Sequence, residues 1–182
     1  MDMEYICYIG RPCYQKNTLF LIDVISQVCL IHPEIQFLLL GVGYYSPELD
    51  CVKKKIEALR LQDKLILKPW IEHSETLKLV RDSLFYITVA RYEGLPLSVI
   101  EAMSLGKAII ASNVVGNRDC VIHQYNGYLL PMEVHAFVAA IKELIEDETK
   151  REQLGCNSRK LFEEKFLIEK RIPDLEKIYS NV

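Results

Sequence analysis

Three things are missing from this 182-residue sequence, and each absence narrows what the chain can be. None of its six cysteines forms a Cys-x-x-Cys pair, so neither a zinc ribbon nor a thioredoxin-type redox site is encoded. Cys7, Cys13, Cys29, Cys51, Cys120 and Cys156 sit mostly among apolar neighbours and read as small buried hydrophobes of a reducing cytosol. No apolar run reaches the roughly 20 residues of a membrane span. The most apolar stretch, Leu19 to Ile31, is interrupted by Asp23, Ser26 and Gln27. The start, Met1-Asp2-Met3-Glu4, has no basic n-region, so no secretory signal is expected and the location read is cytoplasmic; peripheral contact with the inner face of a membrane is left to the full-length protein. Excess positive charge is also lacking: the net charge of −3 offers nothing to nucleic acid or an anionic bilayer. His32, His73, His123 and His135 are not spaced as metal ligands and read as structural or solvent-exposed. The one dense acidic run, Glu146-Asp147-Glu148, falls at a helix end and reads as solvated surface. No aspartate pair is placed for a divalent ion, so no metal site is expected.

What is present is an alternation of short apolar runs with helix-period segments. Strands are expected over Tyr5 to Ile9, Gln36 to Leu40, Lys64 to Leu67, Leu84 to Val89, Ala108 to Ala111 and Gly127 to Leu130. Between them lie helical patterns over Thr18 to Ile31, about Glu48 to Arg60, a short one carrying Leu77 and Val80 with Ser74 as its cap, and about Pro96 to Leu105. The stripe Val134, Phe137, Val138, Ile141, Leu144, Ile145 marks another helix, followed by one around Lys150 to Phe166. Pro173 then divides the tail, whose last helix carries Leu175, Ile178 and Tyr179. Such alternation predicts an α/β, Rossmann-like parallel sheet of about six strands with helices on both faces. Ligands of these sheets sit beyond the carboxyl ends of the strands. The loops that start at Gly10, Gly41, Lys68, Ala90 and Ser112 should therefore share one rim.

The segment from Ala90 to Met103 carries most of the chemistry. Glu93 lies in the loop after a strand, Gly94 permits an unusual turn, Pro96 suits a first helical turn, and Glu101 follows one to two turns in. The N–H groups of Leu97 and Ser98 would point out of the helix start, as an anion site requires. Taken alone, the two glutamates are equally well read as a carboxylate complementing the helix dipole and a solvated surface position. Gly10-Arg11, with Lys16 five residues on, tips the reading, because both cations should reach the same rim. Two cations and a helix N-terminus can hold a diphosphate, each charge-assisted hydrogen bond contributing roughly 1.5–3 kcal/mol.

Glu93 and Glu101, with seven residues between them, resemble the E-x7-E motif of glycosyltransferase family 4, which has the GT-B fold. Tyr8 to Arg11 with Gln15-Lys16-Asn17 resembles that family's GR…KG/KN segment, and Leu39 to Gly43 its strand-end glycine pair. Arg91 to Met103 is similar to its acidic loop–helix run almost letter for letter. Gly106 to Ala111, Val115 to Asp119 and Tyr125 to Pro131 extend the likeness, which runs from about Tyr5 to the C-terminus. It departs at Ala90, where Ser or Thr is commoner, at Asp119 for Glu, and at Val115 for Gly. Cys13 and Tyr14 fill positions that vary.

The resemblance implies that residues 1–182 are one donor-binding domain, the C-terminal half of a GT-B enzyme whose N-terminal acceptor domain is absent from the chain. Arg11 and Lys16 would neutralise the donor diphosphate, aided by the Leu97 and Ser98 N–H groups. Glu101 would take the ribose hydroxyls and Glu93 the sugar hydroxyls, with Gly10, Gly94 and Leu95 completing the wall. The base would lie near Pro69 and Trp70, where Trp70 either stacks on it or is a partly buried structural residue. The implied activity is transfer, with retention at the anomeric carbon and no cofactor or metal, from a nucleoside-diphosphate sugar to a glycan or lipid-linked acceptor in bacterial surface polysaccharide assembly. A non-catalytic nucleotide-sugar-binding module is the alternative. A dehydrogenase-type dinucleotide site is not, since it needs G-x-G-x-x-G and Gly10 to Lys16 holds one glycine.

Overall fold

A computed structural model describes residues 4–43 and 45–180, with the side chains of residues 171, 174, 175, 178 and 180 outside the described set. Six parallel strands, β1 (Tyr5–Ile9), β2 (Gln36–Val42), β3 (Leu65–Pro69), β4 (Tyr86–Thr88), β5 (Ile109–Ser112) and β6 (Gly127–Leu130), form one sheet in the order β3-β2-β1-β4-β5-β6. The helices are α1 (Thr18–Ile31), α2 (Leu49–Ala58), α3 (His73–Asp82), α4 (Leu97–Ser104), α5 (Val115–Cys120), α6 (Val134–Glu146), α7 (Glu148–Lys165) and α8 (Ile168–Ser180).

The strands are apolar on both sides because both faces are covered. Ile6, Tyr8, Phe37, Leu39 and Ile110 point to the face packed by α1, α2 and α6, through Leu21, Ile25, Val52 and Phe137. Cys7, Leu38, Leu40, Tyr86 and Ile109 point to the other, against Val80 of α3, Val99 and Met103 of α4, and Leu161 of α7. This two-residue alternation fixes register, since a slip of one residue would exchange the two cores. Cys7, Cys13 and Cys120 are buried as expected of small hydrophobes, and burial pushes the Cys7 and Cys120 thiols up to about 12. Cys51 and Cys156 are exposed instead.

Several boundaries differ from the sequence expectation. Pro173 does not divide the tail. Helix α8 runs through it, forfeiting the hydrogen bond that an N–H at that position would make. Tyr179 of that helix is exposed, while Leu175 and Ile178 lie outside the described side chains. The acidic run is more than solvated surface, because the Asp147 side chain caps α7 by accepting from the Lys150 N–H at 2.9 Å. Among the described residues, no helix is long and apolar enough to cross a membrane.

The α6–α7 corner carries a pH-dependent contact. Glu143 accepts from Tyr128 Oη at 2.8 Å and from Lys150 Nζ. The Lys150 ammonium, foremost, holds the Glu143 carboxyl below its ordinary value of 4.5. A depressed carboxyl contributes stability above its unfolded pKa and loses it as pH falls through the folded one. The side chains are 36% and 41% exposed, so the contribution is small. Glu143→Gln is expected to lower Tm by about 1–2 °C at pH 7 and by less at pH 3. Thermal melts at the two pH values check this, and an equal loss at both would assign the effect to packing.

Candidate functional site

The strand order reverses between β1 and β4, so the chain leaves these neighbouring strands toward opposite sides and opens a crevice at their carboxyl ends. The loop after β1 is shaped from beneath. Burial keeps the Tyr8 phenol neutral, its pKa pushed well up, and its hydroxyl donates to the Lys16 carbonyl at 2.8 Å. A Cβ at Gly10 would come within 2.8 Å of that hydroxyl, which accounts for glycine there. Asn17 then takes the left-handed conformation, with φ of 55°, which asparagine tolerates better than other non-glycine residues. The next residue starts α1.

This loop is tied to the one after β4. The Arg91 N–H donates to the Gln15 carbonyl at 2.8 Å, and Gln15 Nε2 to the Tyr92 carbonyl at 3.3 Å. Lys16 Nζ lies 2.5 Å from Glu93 Oε1, with the Glu93 side chain only 7% exposed. Arg91 also stacks over the Tyr14 ring at 4.5 Å. Two separate sequence signals thus meet in one partly buried ion pair.

Arg11, Lys16, Glu93 and Glu101 all line a cavity of about 540 Å³, together with Gly10, Trp70, Leu95, Leu97 and Ser98. Of the expected site residues, two do not. Pro69 ends β3 and lines an adjoining pocket with Arg11, Tyr45 and Trp70. Gly94 sits in the wall loop without facing the cavity, and its φ lies outside the left-handed region. The turn that glycine permits there is not used, and a Cβ at Gly94 would meet nothing within 4 Å. Trp70 is 77% exposed, which rules out a partly buried structural role; its indole lies so close to Gly43 that a Cβ there would fall 2.4 Å from the ring.

Helix α4 aims its start into this space. Pro96 is its N-cap, and helical bonding begins with the Val99 and Ile100 N–H groups donating to the Pro96 carbonyl. The N–H groups of Leu97 and Ser98 precede that bonding and carry the positive end of the helix dipole. The cavity wall therefore combines cationic groups (Arg11, Lys16, the α4 start) with the carboxylates of Glu93 and Glu101. Such a wall suits an anion that also carries hydroxyl groups.

Two polar cavity residues escaped the sequence reading. Thr76 of α3 lines it, and so does His73, whose Nε2 lies 2.9 Å from Glu101 Oε1. Ser74 had been expected as the helix cap; the N-cap is Glu72, and His73 opens the helix. The six-residue α5 also went unread. Its Gly116 N–H donates to the Glu93 carbonyl at 3.1 Å, bracing the catalytic-candidate loop from behind.

A six-stranded parallel sheet covered by helices, with a crevice at its switch point, defines a Rossmann-like α/β domain. The sequence comparison makes this specific. Residues 1–161 match the family model of glycosyl transferases group 1, so the chain belongs to that family. It is 25% identical over 178 residues to the UDP-Gal:alpha-D-GlcNAc-diphosphoundecaprenol alpha-1,3-galactosyltransferase of Escherichia coli, covering 96% of this chain and 44% of that enzyme. It is 30% identical over 181 residues to the capsular polysaccharide biosynthesis glycosyltransferase CapM of Staphylococcus aureus, covering 98% and 46%. The chain thus spans about half the length of these curated relatives. Among solved structures, the C-terminal domain of the group 1 protein LpcC of Francisella tularensis superposes with a TM-score of 0.82 at 22% identity, covering 91% of this chain and 87% of that one. Anabaena HepE in complex with UDP-glucose gives 0.89 at 19%, covering all of this chain and 50% of that one. These likenesses establish a glycosyltransferase domain with the Rossmann-like fold of GT-B enzymes.

Proposed function

We propose that this chain binds the nucleoside-diphosphate sugar donor of a retaining, family 4-type glycosyltransferase and supplies the leaving-group half of its active site. The observation that carries the reading is the convergence of Arg11, Lys16, Glu93, Glu101 and the α4 N-terminus on one cavity. Breaking the bond between the anomeric carbon and the diphosphate oxygen sends the electron pair to the diphosphate. Fixed cations and helix N–H groups aimed at that oxygen are favoured in the transition state over the ground state. Glu101 would accept from the ribose hydroxyls and Glu93, held by Lys16, from the sugar. In this proposal the cations do the work of a divalent ion, so no metal takes part. A second Rossmann-like domain would complete the cleft, orient a glycan or lipid-linked acceptor and exclude water. Surface polysaccharide assembly in bacteria is the proposed setting, supported by the names of the Escherichia coli and Staphylococcus aureus relatives.

Titration with UDP, GDP and ADP, with NAD as a control, tests the reading. UDP leads the panel because HepE was solved with UDP-glucose and the Escherichia coli relative uses UDP-Gal. A diphosphate at about 100 times its Kd adds about 2.7 kcal/mol of stability, a Tm rise of roughly 5–10 °C for a chain of this size. EDTA is expected to leave that rise unchanged, and NAD to produce none. The chain alone is expected to show little transfer to a simple acceptor. The donor assignment fails if none of the three diphosphates raises Tm, and its metal-free part fails if the rise requires added magnesium or manganese.

A further inference from the structure

We infer that His73 sets the preference of the cavity for ribose over deoxyribose by holding the Glu101 carboxylate in one orientation, an inference that rests on the donor-site reading above. A carboxylate only accepts hydrogen bonds, so at 2.9 Å the His73 Nε2 must be the donor to Glu101 Oε1. His73 is the one hydrogen-bond donor to the Glu101 side chain among the described residues. Lys16, a cation of the same cavity, is engaged with Glu93 instead. The bond is not there to satisfy burial, because the His73 side chain is 68% exposed and that of Glu101 33% exposed. An exposed pair of this kind adds little to stability. What it does is restrict a flexible carboxylate across the gap between two rigid elements. His73 is the first residue of α3, and Glu101 is in the second turn of α4.

The consequence is chemical. With Oε1 engaged by the imidazole, Oε2 and the remaining lone pairs are presented to a ligand in a fixed direction. A vicinal diol donates two hydrogen bonds to such an acceptor, whereas a 2′-deoxyribose donates one. Released from His73, the carboxylate would lose rotamer freedom each time it met the diol, and the advantage of the second hydroxyl would shrink. His73 is thus a positioning residue acting through Glu101, and it has no role toward the diphosphate.

The test compares UDP, GDP and ADP with their 2′-deoxy counterparts by titration of the full chain, with inorganic pyrophosphate as the probe of the cationic groups. Wild type is expected to prefer the ribose form by about tenfold, and His73→Ala to lower that preference about fivefold while leaving pyrophosphate affinity and Tm unchanged. His73→Gln, whose side-chain amide donates from a similar distance, should restore most of the preference. In a Glu101→Ala background, where nothing is left to accept from the imidazole, His73→Ala should have no further effect. An unaltered ribose preference in His73→Ala overturns the inference, as does a parallel loss of pyrophosphate binding. If instead Glu101→Ala leaves the ribose preference intact, or no diphosphate binds wild type, the donor-site reading falls and takes the inference with it.

Discussion

Arg11→Ala is expected to weaken nucleoside diphosphate binding by about 10- to 100-fold, and Arg11→Ala with Lys16→Ala by 10³-fold or more, on the scale of one lost charge-assisted hydrogen bond each. The two cations differ in what else they hold. Arg11 is exposed and otherwise rests 5.9 Å over the Tyr45 ring, so its removal should leave Tm nearly unchanged. Lys16 neutralises Glu93, whose side chain is 7% exposed. Lys16→Ala leaves that carboxylate buried without its cation and should destabilise the domain as well. Lys16→Met with Glu93→Gln removes both charges and is expected to recover the fold without recovering the diphosphate. Calorimetric titration with UDP, GDP and ADP beside thermal melts separates the two effects. Isotherms of the Arg11 and Lys16 variants that match wild type would mean that the phosphates do not lie where the cations converge.

The parts of this site that were legible in the sequence are those where residue type and backbone position demand the same thing. Arg11, Lys16, Glu93 and Glu101 could be placed on one rim because parallel strands all end there, and the cavity contains all four. The left-handed φ of Asn17, directly before α1, was not read from the sequence, although asparagine suits it. What escaped depends on contacts between elements. His73 faces Glu101 only because α3 and α4 begin side by side on one face of the sheet, and placing the cap at Ser74 instead of Glu72 put His73 outside the helix. Tyr8 reads as an ordinary inward strand residue, and nothing local shows that its hydroxyl ends under the Lys16 carbonyl. Gly94 permits an unusual turn, but the backbone there uses no positive φ. The glycine that the loop does require lies further along the chain, in α5.

Gly116→Ala is expected to be the most damaging single methyl group near the site. A Cβ at Gly116 would lie 2.3 Å from the Gly94 carbonyl oxygen and 2.7 Å from that of Glu93. Both are backbone atoms, so no side chain can rotate away. Either α5 withdraws, breaking the Gly116 N–H bond to the Glu93 carbonyl, or the 93–94 loop shifts toward the cavity. The first costs the brace and the buried contact around Asn117 and Cys120; the second drags Glu93 off Lys16. Overpacking costs about 1–3 kcal/mol, which for a domain of this size lowers Tm by roughly 2–12 °C. Donor affinity should fall with it, because the loop that positions Glu93 also leads into the α4 N-terminus. Gly94→Ala is the control: its Cβ enters open space within the same loop, so Tm should move by no more than about 1 °C. Melts and UDP titrations of the two variants side by side decide the matter. Equal, small effects from both would show that α5 does not brace the loop, and that Glu93 is held in place by Lys16 alone.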